Sequence, residues 1–315
     1  MSEKGFEIDY GKRYVASPRE LLNMPDVSKL RAEFKGPHEL LTTSDGKTIF
    51  LRRWGSATKS ETSFLIFHGI TAYSAPYGSI LADELTKSGF TVYGMDLRGH
   101  GLSDGKRGDY PNAQRLKTDL CEAVAFVKSK SENLIVLGHS LGAISAIIVM
   151  NHCPQGIDGL ALVSAADRIR TGVYARPKTL ALIKTLVGVS ILQGSPLIEY
   201  RRSGMIGVQD PLFNFNYSAR FMSSFYSVGA LSVAGMMRKG KLESPNLRFT
   251  SKLTVPLFVG VGEKDELFSV DAAKAFFDGI QADDKQFAVI PGAMHAVFPP
   301  GCWTELISWA KRHFS

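Results

Sequence analysis

Ser140 lies in a pattern that can supply a nucleophile. The chain reads Gly138-His139-Ser140-Leu141-Gly142, between a strand-like run at Leu134 to Leu137 and a helix-like run at Ala143 to Met150. Strand, glycine-flanked serine and helix form the context of a nucleophile elbow, whose sharp turn holds the hydroxyl clear of a sheet. Bulky neighbours do not fit beside such a turn. With 30 glycines in the chain, chance supplies the pattern in roughly one chain of four. The motif alone therefore does not identify a nucleophile, and the assignment depends on finding a base and an acid elsewhere in the chain.

His295 and Asp265 are the predicted partners of this serine. A serine hydroxyl needs a base within hydrogen-bond reach, and the base needs an orienting carboxylate. In a parallel sheet such residues lie on loops at the carboxyl ends of strands. His295 follows the last strand-like run, and Asp265 follows the run Pro256 to Val261. The order Ser140, Asp265, His295 is the order expected for an elbow of this kind. Alternative acids stay open at Glu263, Glu266, Asp271 and Asp167.

Two backbone N–H groups are predicted to stabilise a developing oxyanion. Leu141 stands at the start of the helix after the serine, where the helix dipole favours negative charge. The second donor should come from the loop His68-Gly69-Ile70-Thr71, which follows a strand-like run ending at Phe67. We assign this role to Ile70.

The elements that must position these residues alternate along the chain. Continuous apolar runs separated by helices indicate a mostly parallel sheet covered on both faces. A hairpin signal at Ser44-Asp45-Gly46 adds antiparallel strands at one edge. Helices are predicted at Ile80 to Ser88 and Ala113 to Ser129. The eight predicted strands are Glu39 to Thr43, Lys47 to Trp54, Ser63 to Phe67, Phe90 to Met95, Asn133 to Leu137, Leu160 to Val163, Val255 to Val261 and Gln286 to Ile290.

The alternation of strands and helices, and the interval where it is interrupted, predict three parts in the chain. Residues 1–35 are an N-terminal extension, 36–167 and 253–315 form the α/β core, and 168–252 form a helical insertion. The insertion holds an apolar helix at Leu180 to Leu192 and an aromatic-rich run that begins at Phe213 and Phe215. Two interpretations stay open: a subdomain with its own small core, or a cap whose aromatic side chains line a substrate pocket.

The composition of the chain limits which binding partners and cellular locations we expect. The net charge of +7 is scattered, and no basic patch or nucleic-acid-binding module is present, so we predict no nucleic-acid partner. Weak attraction of the cap to anionic membranes remains open. Three cysteines without paired spacing predict a reducing compartment and no disulfide framework. The N-terminal residues lack an apolar signal region, and the run Leu180 to Leu192 is too short to span a bilayer. A cytoplasmic location, with peripheral membrane contact as an option, is expected.

Several of these motifs resemble one family. The chain resembles α/β-hydrolases, specifically the monoacylglycerol lipase and lysophospholipase group, over roughly residues 38 to 312. The resemblance implies Ser140 as nucleophile, His295 as base, Asp265 as acid, and Ile70 and Leu141 as oxyanion hole. It also implies a mobile cap. The motifs that carry it, in family order, are Phe67 to Ile70, Asp96 to Gly108, Gly138 to Gly142, Asp210 to Leu212, Gly260 to Asp265 and Gly292 to His295.

The resemblance predicts hydrolysis of monoacylglycerol-like or other single-chain acyl esters, without a metal or organic cofactor. Lysophospholipase, thioesterase and acyltransferase activities use the same triad and stay open, as does a non-catalytic receptor on the same fold. The expected substrate-binding residues are His68, Gly69, His139, Phe213 and Phe215. The chain departs from the family pattern at Thr71 to Ser74 and at Ala296, where the family commonly has polar or acidic residues. The alcohol half of the substrate and the oligomeric state therefore stay open.

Overall fold

An open sheet of eight strands organises the molecule. A computed structural model of the chain describes residues 26–56, 60–173, 179–200 and 210–314. The first 25 residues of the predicted N-terminal extension lie outside these ranges. The strands are β1 (His38–Thr42), β2 (Thr48–Trp54), β3 (Ser60–Phe67), β4 (Thr91–Met95), β5 (Ser131–His139), β6 (Gly159–Val163), β7 (Ile198–Glu199), β8 (Asn216–Tyr217), β9 (Leu257–Gly262) and β10 (Lys285–Ile290).

The strand order in the sheet is β1-β2-β4-β3-β5-β6-β9-β10. Neighbours from β4 to β10 run parallel, whereas β2 is antiparallel to both β1 and β4. The short strands β7 and β8 form a separate antiparallel pair. This confirms the predicted mostly parallel sheet, with strand ends shifted by up to three residues. The central position of β3 and β5 brings the loop after Phe67 beside the turn at Ser140.

Helices cover both faces of this sheet. In β3, Leu65 and Phe67 face one apolar cluster, and Phe64 and Ile66 face the other. Such alternation on two buried faces requires a covering layer on each side. The predicted helix Ile80 to Ser88 is a π-helical turn at Gly78–Ala82 followed by a short α-helix at Asp83–Lys87. The helices are α1 (Val27–Glu33), α2 (Asp83–Lys87), α3 (Ala113–Lys128), α4 (Leu141–His152), α5 (Thr179–Ser190), α6 (Ala219–Tyr226), α7 (Ala230–Lys239), α8 (Val270–Gly279) and α9 (Thr304–Phe314).

The chain between β6 and β9, called here the β6–β9 segment, contains α5, α6 and α7. Ser218 caps α6 by accepting a hydrogen bond from the N–H of Phe221, and α7 ends at Gly240 in the left-handed conformation. Phe221 and Phe225 are fully buried in the apolar cluster that covers the sheet. This part of the segment therefore shares the main core.

The prediction of no disulfide is wrong. Cys121 on α3 and Cys153 at the end of α4 form a disulfide with a Cα–Cα distance of 6.0 Å. The sequence hides this pairing because the two cysteines are 32 residues apart. They meet because α3 and α4 pack side by side, which brings the Cα atoms within the usual bridging range. The inference of a reducing compartment, which rested on the absence of a disulfide, loses its basis.

A buried ion network fixes the loop that follows β4. Arg98 donates two hydrogen bonds to Asp119 on α3, at 2.7 and 2.9 Å. The Asp119 carboxylate also accepts from Tyr110 and Arg115, and it has no exposed surface. Bidentate pairing of this kind offsets the cost of removing both charges from water.

Replacing Asp119 with Ala should reduce the free energy of unfolding by about 3–5 kcal/mol, because Arg98 would stay buried without its main partner. Chemical denaturation measures the change. Asp278→Ala is the matched control, since the Lys274–Asp278 pair is about half exposed and its loss should cost less than about 1 kcal/mol. Equal losses in the two variants would contradict this account.

Candidate active site

Ser140 occupies a strained turn between β5 and α4. Its φ is +57° and its ψ is −118°, a conformation that side-chain-bearing residues rarely adopt. Its N–H donates to the carbonyl oxygen of Val163 on the neighbouring strand β6, which ties the turn to the sheet. A Cβ at Gly142 would overlap the carbonyl oxygen of Phe67, so α4 approaches β3 closely because this side chain is missing. The turn therefore holds the hydroxyl above the carboxyl edge of the sheet.

The structure brings the three predicted residues together. The Nε2 atom of His295 lies 3.0 Å from Ser140 Oγ, and its Nδ1 atom lies 3.1 Å from Asp265 Oδ2. Ser140 follows β5, Asp265 follows β9, and His295 follows β10. Both distances permit hydrogen bonds, so a proton on Ser140 has a path to an imidazole that a carboxylate orients.

Asp265 is held as an anion. Burial favours the protonated acid, but the charge and hydrogen bond of His295 and the N–H of Phe268 hold the pKa of Asp265 below its ordinary value. Its Oδ1 atom accepts the N–H groups of Leu267 and Phe268 at 2.8 and 2.9 Å. A carboxylate with this many donors stays charged and presents its other oxygen to the imidazole.

The alternative acids occupy other positions. Glu266 accepts the backbone N–H of His295, and Glu263 accepts the N–H of Gly292, so both carboxylates shape the histidine loop. Asp271 lies in the first turn of α8. The carbonyl oxygen of Asp167 accepts from the N–H of Leu242.

A second series of hydrogen bonds connects the loop after β3 to the loop that carries His295. The hydroxyl of Tyr77 accepts the N–H of Gly69 at 2.9 Å and lies 2.7 Å from His139 Nδ1. The other nitrogen of His139, Nε2, lies 2.8 Å from the carbonyl oxygen of His295. A carbonyl only accepts, so Nε2 carries a hydrogen, and with no second hydrogen on the ring Nδ1 accepts the Tyr77 proton. Sequence reasoning missed Tyr77.

The loop after β3 is braced against the serine. A Cβ at Gly69 would lie 3.3 Å from Ser140 Cβ, which shows how near the loop comes. The next residues are held by the β6–β9 segment: the N–H of Thr71 donates to Tyr217, and its carbonyl oxygen accepts from the N–H of Asn214. Thr71 has a φ of +70°, so these contacts maintain an unusual backbone. The two predicted oxyanion donors thus lie on different segments next to Ser140: Ile70 on the loop after β3, and Leu141 at the start of α4.

Two cavities meet at Ser140. The first, called the Leu141 cavity, takes in about 500 Å³ of space when open solvent is included, and the second, called the Phe298 cavity, about 630 Å³. The Leu141 cavity is lined by Ile70, Ser140, Leu141, Ala143, Ile144, Ala165, Ala166, Ile169, Tyr200, Tyr226, Met237, Leu242, Leu247, Leu267 and Phe268. The Phe298 cavity is lined by Gly69, Ile70, Thr71, Ala72, Pro76, Tyr77, Ile80, His139, Ser140, Tyr200, Phe213, His295, Ala296 and Phe298.

The cavities include some of the residues predicted to bind substrate and omit others. Gly69, His139 and Phe213 line the Phe298 cavity. His68 lines neither cavity: it is buried, with Nδ1 donating to the carbonyl oxygen of Gly69 and Nε2 accepting from Leu97. The Phe215 ring stacks against Phe213 outside both linings. Among the described residues, no group of three His, Cys, Asp or Glu side chains is placed to hold a metal ion.

The sheet order and the elbow define this chain as an α/β-hydrolase. Residues 58–299 match the family described as Hydrolase_4: Serine aminopeptidase, S33, and because this is more than half of the chain, the protein belongs to that family.

Two individual relatives and one solved structure share between 18% and 26% sequence identity with this chain. The chain is 26% identical over 255 residues to a monoacylglycerol lipase of Mycolicibacterium smegmatis, covering 80% of this chain and 88% of the relative. It is 26% identical over 269 residues to the uncharacterized protein YnbC of Escherichia coli; this match covers 82% of the chain but spans 43% of that relative. A monoglyceride lipase structure from Saccharomyces cerevisiae has a TM-score of 0.64 at 18% identity, covering 90% of this chain and 97% of that one. At this identity the likeness shows the fold alone.

Two buried histidines support the loops around the site. The rings of His68 and His100 lie 5.2 Å apart, and both are almost fully buried. Burial lowers the pKa of each side chain below its ordinary value of 6.5. In His100 the neighbouring His68 and Arg107 lower the pKa further. Both rings are therefore neutral in the folded protein at neutral pH.

The stability of the protein should fall as the pH drops below 6.5. There the unfolded chain protonates both histidines and the folded protein does not, so the unfolded state binds more protons. The loss should approach about 1.4 kcal/mol per pH unit for each histidine. Denaturation curves between pH 7.5 and about 5.5 measure the slope. His100→Gln should make it shallower by one histidine's contribution, and an unchanged slope would count against this assignment.

Proposed function

We propose that the protein is a serine-dependent carboxylic ester hydrolase that cleaves monoacylglycerol-like or other single-chain acyl esters through an acyl-enzyme intermediate. The observation that carries the proposal is the hydrogen-bonded series Ser140, His295 and Asp265, with distances of 3.0 and 3.1 Å. A serine in this arrangement is activated by the adjacent base and becomes a nucleophile.

Acylation begins when Ser140 Oγ attacks the ester carbonyl. His295 Nε2 accepts the serine proton, and the new O–C bond turns the carbonyl oxygen into an oxyanion. Asp265, ionised because its pKa is held low, stabilises the imidazolium and keeps Nδ1 protonated. The oxyanion then collapses, the bond to the alcohol breaks, and His295 returns the proton to the leaving oxygen. Water repeats the sequence on the acyl-enzyme.

The oxyanion is assigned to two backbone donors. Leu141 is the first residue of α4, where N–H groups have no acceptor within the helix. Ile70 lies on the loop that contacts Ser140, and both residues line the Leu141 cavity beside the serine. Donors fixed in place before reaction stabilise the developing charge without further reorganisation, and loss of one such donor typically slows turnover by about 10²–10³-fold.

The acyl chain is assigned to the Leu141 cavity. Its lining is almost wholly aliphatic or aromatic, and part comes from the β6–β9 segment, including Tyr226, Met237 and Leu242. We therefore assign residues 168–252 as a cap that completes the pocket. Monoacylglycerol lipases among the relatives are consistent with a single acyl chain.

Lysophospholipase, thioesterase and acyltransferase activities would use the same residues and differ in the leaving group or acceptor. A non-catalytic receptor would not require a serine, histidine and carboxylate in hydrogen-bonding sequence. The contacts of Ser140 therefore favour an enzyme.

Ser140→Ala should lower kcat for a p-nitrophenyl acyl ester by at least about 10³-fold and abolish labelling by a fluorophosphonate probe, because the nucleophile is gone. Ser145→Ala is the matched control: Ser145 is buried on the same helix, and its hydroxyl has no hydrogen-bond partner among the described residues. The control should keep activity and labelling. Full turnover by Ser140→Ala would refute the proposed function.

The cap is also proposed to contact membranes weakly. Ile183, Leu186, Ile191 and Leu192 lie on or just after α5, and each is about half exposed or more, with Ile191 at 76%. Exposed Lys184 lies among them and would favour an anionic surface. Within the described ranges, no helix is long and apolar enough to cross a bilayer. Contact would therefore be peripheral.

The double variant Ile183→Ser/Ile191→Ser should reduce co-sedimentation with anionic phosphatidylglycerol liposomes at low ionic strength, because two exposed apolar side chains no longer enter the interface. The control is Leu40→Ser, which removes a similarly exposed leucine from the edge strand β1. Added salt should weaken binding of the unmodified protein. Absence of binding even at low ionic strength would exclude this contact.

A further inference from the structure

We infer that the leaving alcohol of the preferred substrate is apolar, such as an alkyl or arylalkyl alcohol, and that glycerol is disfavoured. The inference rests on the proposed function, because it assumes that Ser140 and His295 carry out ester cleavage. It concerns the half of the substrate that departs in the acylation step.

The position of His295 decides which cavity receives this alcohol. The leaving oxygen must take its proton from His295 Nε2, so it lies on the histidine side of Ser140. His295, Ala296 and His139 line the Phe298 cavity, and none of them lines the Leu141 cavity. The Phe298 cavity is therefore the alcohol side, and the acyl chain occupies the other one.

The walls of the Phe298 cavity are mainly apolar. Its described lining contains no Asp, Glu, Lys, Arg, Asn or Gln side chain. Most of the side chains around the alcohol are apolar, and apart from the reacting residues, Tyr77 and His139, the polar side chains of this described lining are the hydroxyls of Thr71 and Tyr200. The apolar ones are Ile70, Ala72, Pro76, Ile80, Phe213, Ala296 and Phe298. Such a surface gains from contact with carbon and offers little to additional hydroxyl groups.

Two polar side chains of this lining, Tyr77 and His139, already hold hydrogen bonds to protein groups. The Tyr77 hydroxyl accepts from Gly69 and donates to His139, and the remaining ring nitrogen of His139 donates to the carbonyl oxygen of His295. A glyceryl ester would bring two free hydroxyls into this space, and breaking these bonds to satisfy them would disturb the site. An apolar alcohol makes no such demand.

Aromatic packing holds the walls in place. Phe298 lies 4.7 Å from the Trp303 ring and 5.8 Å from the His139 ring. Phe213 meets the edge of Tyr73, whose hydroxyl donates to Asp210 at 2.6 Å. The two phenyl rings are thus fixed before substrate enters, which suits a flat or extended hydrocarbon group.

Three esters of one acid test the inference: benzyl hexanoate, butyl hexanoate and 1-hexanoylglycerol, at concentrations where all are dissolved. The quantity to compare is kcat/KM, since it reports acylation, in which the alcohol is still attached. We expect the benzyl and butyl esters to exceed the glyceryl ester by about tenfold to a hundredfold. All three leave as primary alcohols, and the hydroxyls of glycerol favour its departure chemically, so intrinsic reactivity opposes the expected order.

Ala296→Asn places a donor and an acceptor in the cavity and should reduce that ratio several-fold or more. Ala125→Asn, on the exposed face of α3, is the matched control and should leave it unchanged. Benzyl alcohol should also inhibit the unmodified enzyme at lower concentrations than glycerol, a measurement that needs no variant.

The outcomes separate the two proposals. A glyceryl ester cleaved as fast as the others, with Ser140-dependent turnover, would overturn the inference and leave the proposed function standing. Absence of turnover for all three esters, together with no fluorophosphonate labelling, would overturn both.

Discussion

The site depends on a hydrogen-bonded chain that joins the loop after β3, the end of β5 and the loop after β10. It begins at the N–H of Gly69, passes through the Tyr77 hydroxyl and the His139 ring, and ends at the carbonyl oxygen of His295. Each proton position in it follows from the next, because the terminal carbonyl only accepts. A shift of any one loop breaks a buried hydrogen bond in the others, so the loop of the proposed oxyanion donor and the loop of the base keep one relative position.

Close packing at the elbow provides the second constraint. Gly142 lets the first turn of α4 approach the end of β3, and the N–H of Ser140 is tied to β6. Three adjacent strands thus define the position of one strained residue. The strain at Ser140 persists because its surroundings leave no relaxed alternative. The Cys121–Cys153 disulfide joins the far end of the same helix to α3, so α4 is secured at both ends.

Sequence patterns predicted the strands well because buried parallel strands are continuous apolar runs. Ser140, Asp265 and His295 could be selected because each follows such a run, and adjacent parallel strands bring their ends together. Tyr77 could not be selected, since its partners leave no recognisable pattern in the sequence: Gly69 lies eight residues earlier on the same loop, and His139 ends β5. His68 was expected to contact substrate, but the backbone N–H of Leu97 holds its ring inside the protein. The disulfide forms because α3 and α4 pack together, and the spacing of the three cysteines in the sequence does not reveal that packing.

The two cavities have a consequence for how a substrate range could arise. Among the described residues, their linings share only Ile70, Ser140 and Tyr200. Most groups that recognise the two halves of a proposed ester are therefore separate side chains. Their contributions to transition-state free energy should be nearly additive, except at the shared residues and where Phe268 of one lining contacts the His295 ring of the other. One half of the specificity can then change by substitution at Ala72 or Ala296 while the other is retained. The range of acceptable esters becomes the product of two independent choices.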